Sequence, residues 1–353
     1  MSDIIHHSRP TVGKRERDAV MEVFSSNQLA QGPQVDSLEW EAAEYFGHPG
    51  AVAVGSGSQA LLLALKSLDL GEGCRVALPA YTCSAVLHCV EWSGAEPVLL
   101  DLADGKIAPE PSALDELNDP VDAAIVVHPW GYPLDASAWR QKVSIVIEDC
   151  AQSIGAAWAG QPVGAAGNVA IVSFYATKML CAGEGGLLSS QTRKIADRAR
   201  DLRDYDGKPE YARRFNFKMS DMQAALARIQ LSRLPEFLEK RKLIAARYDS
   251  EVEALGLTPV TAPSEATCSN YRYICRVFDN VSPLLDFCLA QGVHCRRPVP
   301  VTLDRLLKQP LLPNTLEAWN RLISLPVYPS LSTGEQDRVL EVLELARTKG
   351  LLA

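Results

Sequence analysis

The sequence predicts an α/β fold of three layers, with helices on both faces of a mostly parallel, mixed sheet and a smaller α/β unit at the C-terminus. Three observations predict it: the apolar runs have strand length, they are continuous instead of alternating, and stretches with helical spacing separate them. A strand apolar at every position is covered on both faces. The polar or glycine-rich residues that follow each run then collect along one edge of the sheet, where open α/β folds bind their ligands.

The elements follow in order. KRERDAVMEVF and QVDSLEWEAAEYF, within residues 14–46, read as two helices flanking a Gly-Pro loop. AVAVGSGSQALLLALKSL gives a strand, a glycine turn and a helix, and RVALPAYTCSAVLHCVEWSG with PVLLDL repeats strand, helix, strand. DAAIVVHPWG, VSIVIEDCAQS and VAIVSFYATK are three more runs, each ending in polar or glycine-rich residues. From about 190 the chain turns helical: TRKIADRARDLRD, then a long amphipathic run from SDMQAALARIQL that is broken at Pro235. The last hundred residues, with YRYICRVF, VHCRRPVP and GEQDRVLEVLELARTKG, read as the smaller unit. This divides the chain into a large domain over 1–240 and a small domain over 241–353.

Composition narrows the function. The 353 residues carry a net charge of −8, which opposes a general nucleic-acid or anionic-membrane surface. No run approaches the ~18 apolar residues of a membrane span. Nine cysteines form no CxxC pair and sit mostly in apolar runs, so reduced thiols and a cytoplasmic protein are expected. No metal is expected.

Three strand ends carry the chemistry. In GSGSQAL, Gly57 and Ser58 place backbone amides and a hydroxyl at a helix N-terminus, which suits an anion but also suits a plain turn. In IEDCAQS, Asp149 and Gln152 follow a second run, where an acid is as readily a helix cap. In SFYATKMLCAGEGG, Ser173 precedes Lys178 by five residues; a lysine there either snorkels to solvent or reacts, and glycines follow it instead of a charged helix. Together the three are complementary. Pyridoxal phosphate needs a lysine for its aldehyde, a carboxylate for its ring nitrogen, and hydroxyls and amides for its phosphate.

The ordered set from NQLAQGPQVDSLE through GSGSQALLLAL, PAYTCSAV, GAEPVLLDL, VIEDCAQSIGA, GEGGLL, NFKMSDMQAALARIQL and RLISLPVYPSLS resembles the DegT/StrS family of pyridoxal-phosphate sugar aminotransferases. The resemblance covers nearly the whole length. It implies the aspartate-aminotransferase fold (fold type I), with Lys178 as the Schiff-base lysine, Asp149 on the pyridine nitrogen and Gln152 by the ring hydroxyl. Ser58, Gln59 and Ser173 would hold the phosphate, joined by Asn216 from the other subunit of a homodimer with shared sites. The substrates implied are glutamate or glutamine as amino donor and a keto sugar, nucleotide-linked, as acceptor.

Several positions depart from the family pattern. Cys83 stands where an aromatic residue usually stacks on the cofactor, a role that Tyr81 or Trp130 would then take. Lys218 replaces the arginine of an asparagine-aromatic-arginine-methionine motif, and HPWG (128–131) is unusual, with His128 as well explained by packing as by catalysis. The substrate side is expected to draw on Glu184, Arg213, Arg214 and Lys218. Two other readings compete: a non-catalytic regulator that keeps the fold, and a sugar dehydratase, against which Lys178 counts because the family's dehydratases carry histidine there.

Overall fold

The computed structural model describes residues 4–352. Helices α1 (Lys14–Ser26) and α2 (Pro33–Phe46) open the chain. The Gly-Pro loop between them is held from far away in sequence: the buried Asp221 carboxylate accepts the N–H groups of Gly32 at 2.9 Å, Gln34 at 3.2 Å and Val35 at 3.0 Å. An anion thus sits on the free amides of the first turn of α2.

Next come β1 (Gly50–Val54), α3 (Gly57–Ser67), β2 (Arg75–Pro79), α4 (Ser84–Ser93), β3 (Glu96–Leu100), β4 (Ala123–Val127), α5 (Ala136–Arg140) and β5 (Ile145–Asp149). The short β6 (Ala157–Trp158) and β7 (Gln161–Pro162) precede β8 (Val169–Ser173), β9 (Gly186–Ser190) and α6 (Arg193–Arg203). Seven of these strands form one sheet in the order β1-β9-β8-β5-β4-β2-β3. Only β9 runs antiparallel to its neighbours.

Both faces are buried, as continuous apolar runs require. Along β4, Ala123, Ile125 and Val127 join the cluster with α3, α4 and α6, while Ala124 and Val126 turn to the opposite face with Trp139 of α5. Along β1, Val52 and Val54 take the first face, and Ala51 and Ala53 pack toward α2. Ile147 in the central strand β5 is fully buried, so truncating it to alanine removes about 2–5 kcal/mol of stability.

The remainder contains α7 (Asp221–Ser232), α8 (Leu234–Glu251), β10 (Thr258–Pro259), β11 (Ala266–Thr267), β12 (Tyr273–Arg276), α9 (Ser282–Ala290), α10 (Leu303–Leu306), α11 (Pro313–Arg321), β13 (Leu322–Leu325) and α12 (Thr333–Thr348). Pro235 falls in the first turn of α8, where its missing N–H has no intrahelical acceptor to lose, so the break is a new helix start. The position 240/241 lies inside α8: Leu234 and Phe237 pack with the large sheet, while Ile244, Ala245 and Tyr248 pack in a second core under the antiparallel sheet β10-β12-β13. Ile5 belongs to that second core, because its backbone pairs with Gly292 and His294. The N-terminal segment therefore lies against the C-terminal unit. Among the described residues no helix is long and apolar enough to cross a membrane.

Candidate active site

The carboxyl ends of β1, β2, β4, β5 and β8 open onto one cleft of about 590 Å³. Gly57 and Ser58 follow β1, Cys83 follows β2, Trp130 follows β4, Asp149 ends β5 with Gln152 just beyond, and Ser173 ends β8; all line the cleft, together with Lys178 and Glu184.

One corner is built for an anion. Ser56 caps α3, its hydroxyl accepting Gln59 N–H at 3.2 Å, so the amides of Gly57 and Ser58 are left without intrahelical acceptors. Close backbone approach fixes two glycines here. A Cβ on Gly57 would stand 2.8 Å from Ser173 Cβ, and one on Gly186 would fall 2.2 Å from the Ser56 carbonyl oxygen. The start of β9 thus presses the α3 turn against the end of β8.

Lys178 is not at the end of an apolar strand as its sequence context suggests. β8 stops at Ser173, and the chain makes a narrow loop closed by Phe174 N–H to Gly185 O, Ala182 N–H to Phe174 O and Ala176 N–H to Gly183 O. Lys178 sits in that loop, half-buried. Its Nζ has no hydrogen-bond or ion-pair partner among the described residues and lies 5.9 Å from the Tyr271 ring centroid. The ammonium is held by position, not by a counterion, which leaves the amine available.

Asp149 is buried, with one oxygen accepting Ala151 N–H at 2.9 Å. Burial pushes its carboxyl above the ordinary range, an effect that the backbone bond and the charge of Lys178 only partly offset. A protonated ring nitrogen would supply the counter-charge that burial has removed. The Gln152 carboxamide oxygen accepts Trp130 N–H at 3.3 Å, leaving its NH2 as a donor. Trp130 itself has φ of 52°, and Tyr81 packs edge-on behind it at 5.6 Å, buried outside the cleft lining. Trp130 and Cys83 line the cleft and Tyr81 does not; Cys83 is exposed and Trp130 is buried. An amine, a desolvated carboxylate, free amides with hydroxyls and an amide donor on one floor fit pyridoxal phosphate.

The opposite wall comes from residues the motifs do not mark: His7, Tyr271, Arg272, Arg296 and Arg297. Burial, then the charges of Arg272 and Arg296, hold His7 well below the usual imidazole range, and its Nε2 lies 2.8 Å from Ser324 Oγ. Burial pushes the Tyr271 phenol up, but Arg272 and then Lys178 outweigh it, and the phenol lies below its ordinary value. The one sequence signal was the cation density of YRYICR and VHCRRP; nothing local said that these cations face the strand ends.

Other expected residues lie outside this cleft in the single chain. Gln59 turns away, its Oε1 buried without a partner. Asn216 is exposed beside Asp204. The cations of 203–218 are largely engaged within the chain: buried Arg203 pairs with Glu39 and donates to Ala53 O, Arg214 pairs with Asp201 at 3.0 Å, and Lys218 pairs with Asp204 at 2.7 Å. Arg213 is exposed. His128 is fully buried, donating from Nε2 to Glu148 at 2.8 Å and accepting Leu134 N–H on Nδ1 at 3.0 Å, so packing accounts for it. Glu148 also accepts Gly164, Ala166 and Gly167 N–H, which leaves the buried His128, Glu148 and Cys150 group no free donor set for a cation.

The model of the DegT/DnrJ/EryC1/StrS aminotransferase family matches residues 10–344. Among solved structures, the aminotransferase TlmJ from Streptoalloteichus hindustanus superposes with a TM-score of 0.91 at 28% identity, over 99% of this chain and 100% of that one. The aminotransferase from Psychrobacter cryohalolentis gives 0.88 at 26% identity, over 97% and 98%. Spr1654 from Streptococcus pneumoniae in its PLP form shares the fold, with 0.91 at 24% identity, over 98% and 99%.

Proposed function

The chain belongs to the DegT/DnrJ/EryC1/StrS aminotransferase family, and from that premise we propose that it transfers an amino group from glutamate or glutamine to a keto sugar, nucleotide-linked, with pyridoxal 5′-phosphate as cofactor. The observation that carries this reading is the pairing, on one floor, of an unpartnered Lys178 with a buried Asp149. The cofactor, when bound, supplies an electron sink conjugated to the reacting carbon. Asp149 holds the ring nitrogen in its protonated form. The amides of Gly57 and Ser58 and the hydroxyls of Ser58 and Ser173 would hold the phosphate, and Gln152 would donate to the ring hydroxyl. Lys178 would anchor the cofactor between turnovers, and its unpartnered nitrogen is the group on this floor that would take the proton from the donor's α-carbon and hold it for return. Trp130 and Cys83 flank the ring.

The working unit is a homodimer with shared sites, in which Asn216 reaches the phosphate of the neighbouring subunit and Arg213, Arg214, Lys218 and Glu184 meet the acceptor. Support comes from Asn216 being exposed and outside its own cleft, and from Tyr211 in the same segment standing 95% exposed. A large and a small domain dividing near residue 240 would form the two walls. Nine free cysteines support a cytoplasmic setting. The test is spectroscopic: the cofactor-loaded protein absorbs visible light and bleaches when glutamate or glutamine is added, and a panel of nucleotide-linked keto sugars restores the colour with the aminated product seen by mass. Bleaching by neither donor would reject the reading.

A further inference from the structure

We propose that Arg272 and Arg296 form a carboxylate-binding subsite on the small-unit wall of the cleft, which takes the carboxylate of the amino donor. This rests on the reading of the cleft as an aminotransferase site and names the donor's chemistry within it.

Neither guanidinium has an acidic partner among the described residues, although the chain carries eight more acids than bases. Arg297, the third arginine of this wall, is committed: its Nε donates to the Trp319 carbonyl at 2.9 Å, its Nη2 to Ser282 Oγ at 2.6 Å, and it stacks on Trp319 at 3.9 Å. Arg272 is half-buried, stacked 4.4 Å from the Tyr271 ring centroid, with Nη2 donating to Tyr271 Oη at 3.0 Å and Nη1 making a long 3.4 Å contact to the His7 carbonyl. A planar five-donor group held this way keeps donors free and its orientation fixed, the arrangement that grips a carboxylate with two parallel bonds. Arg296 is exposed at the mouth, its backbone pinned to Ser324 in both directions, at 3.1 and 2.8 Å. His7 between them is held neutral, so the wall's charge resides on the arginines.

The position favours the donor. Lys178 Nζ stands 5.9 Å from the centroid of the same Tyr271 ring on which Arg272 stacks. The donor's α-carboxylate is one bond from the carbon whose proton Lys178 moves, so the anion that must sit nearest the lysine is this one. A sugar-linked diphosphate is separated from the reacting carbon by the sugar ring, and were it the anion held here, an unpaired, partly desolvated guanidinium in the same cleft as the lysine would be left without a counter-charge during the donor half-reaction.

Calorimetry on the cofactor-loaded full chain separates the possibilities, with glutarate as an unreactive dicarboxylate and uridine diphosphate as a phosphate probe. Wild type is expected to bind glutarate, with Arg272→Gln weakening it about tenfold or more and Arg296→Gln several-fold, and with uridine diphosphate binding unchanged by Arg272→Gln. Arg272→Lys should recover part of the loss, and KM for glutamate should rise more than kcat falls. Arg296 is exposed, so its variant reports even where Arg272→Gln fails to fold. Glutarate affinity unchanged in both variants, no glutarate binding by wild type, or loss of uridine diphosphate binding in place of glutarate would each overturn the assignment. Arginine-dependent glutarate binding without any bleaching by glutamate supports the subsite and rejects the transaminase reading instead.

Discussion

The floor and the opposite wall of the cleft are made by different means. The floor is main chain: strand ends, a helix N-terminus and the tight loop after β8 fix Gly57, Ser58, Asp149, Ser173 and Lys178 through backbone geometry that neighbouring strands lock in register. The wall is side chain. His7, Tyr271, Arg272 and Arg296 arrive from three distant segments, and packing and stacking orient them, not strand register. The charges differ as well, since the floor buries a carboxylate beside a free amine while the wall gathers cations. A rigid floor suits chemistry shared by every turnover, and a wall of replaceable side chains suits recognition of particular substrates.

The largest expected effect tests whether the floor is complete within one chain. Lys178→Ala alone should leave cofactor that borohydride cannot fix to the protein and reduce turnover by about 10⁴-fold or more, and Asn216→Ala should also be inactive. Mixed under conditions where subunits exchange, the two variants give heterodimers with one doubly damaged and one intact site, so about a quarter of wild-type activity should return. With exchange confirmed by mass, continued silence of the mixture would mean that each floor uses its own Asn216.

A smaller effect probes the buried acid. Asp149→Asn should cut turnover by about 10²–10⁴-fold, because a neutral amide no longer keeps the ring nitrogen protonated. Stability should move the other way. Burial raises the Asp149 carboxyl in the folded chain, so its favourable contribution is full below the unfolded carboxylate range and is lost as pH rises through the folded value. Above that folded value the cofactor-free protein carries a desolvated charge, so Asn, neutral at every pH, should melt higher there, a gain that fades on acidification. A melting temperature lowered at every pH would show that Asp149 is held mainly as the acceptor for Ala151 N–H in the turn after β5, where the described residues form no helix for it to cap.

The same contrast governs what the sequence reveals. Floor residues follow continuous apolar runs, so β1, β5 and β8 announce Ser58, Asp149 and Ser173 directly. Lys178 was legible as a residue but not in its setting, because the loop from Phe174 to Gly185 forms only through bonds to its own far side. Strand β9 hides for another reason: Ser189 and Ser190 interrupt its apolar pattern, and their burial depends on His48, 3.0 Å from Ser189 Oγ, and on the Asn168 carbonyl, 3.3 Å from Ser190 Oγ. The wall gave least. Arg272 sits just before β12 in a segment that reads as an ordinary strand, and His7 comes near it through long-range contacts, the pairing of Ile5 with Gly292 and His294 and the bond to Ser324 Oγ.

The smallest expected effect lies on the floor at Cys83. The residue is exposed, lines the cleft and precedes α4 as its N-cap without a side-chain cap bond, so changing it disturbs no internal contact. A thiol offers a bound ring little area, whereas an aromatic face at the same place adds an offset stacking contact of about 0.5–1.5 kcal/mol, equivalent to roughly two- to tenfold in affinity. Cys83→Phe should therefore tighten cofactor binding by that factor, read from the quenching of tryptophan fluorescence as pyridoxal phosphate is titrated, while Cys83→Ala should change it little. Trp130 provides the internal comparison. If Trp130 already supplies the stacking face, Trp130→Ala weakens cofactor binding more than tenfold, and Cys83→Phe recovers part of that loss when combined with it. Weaker binding in Cys83→Phe alone would show that the ring's free face is claimed by substrate, moving Cys83 from the floor to the recognition wall.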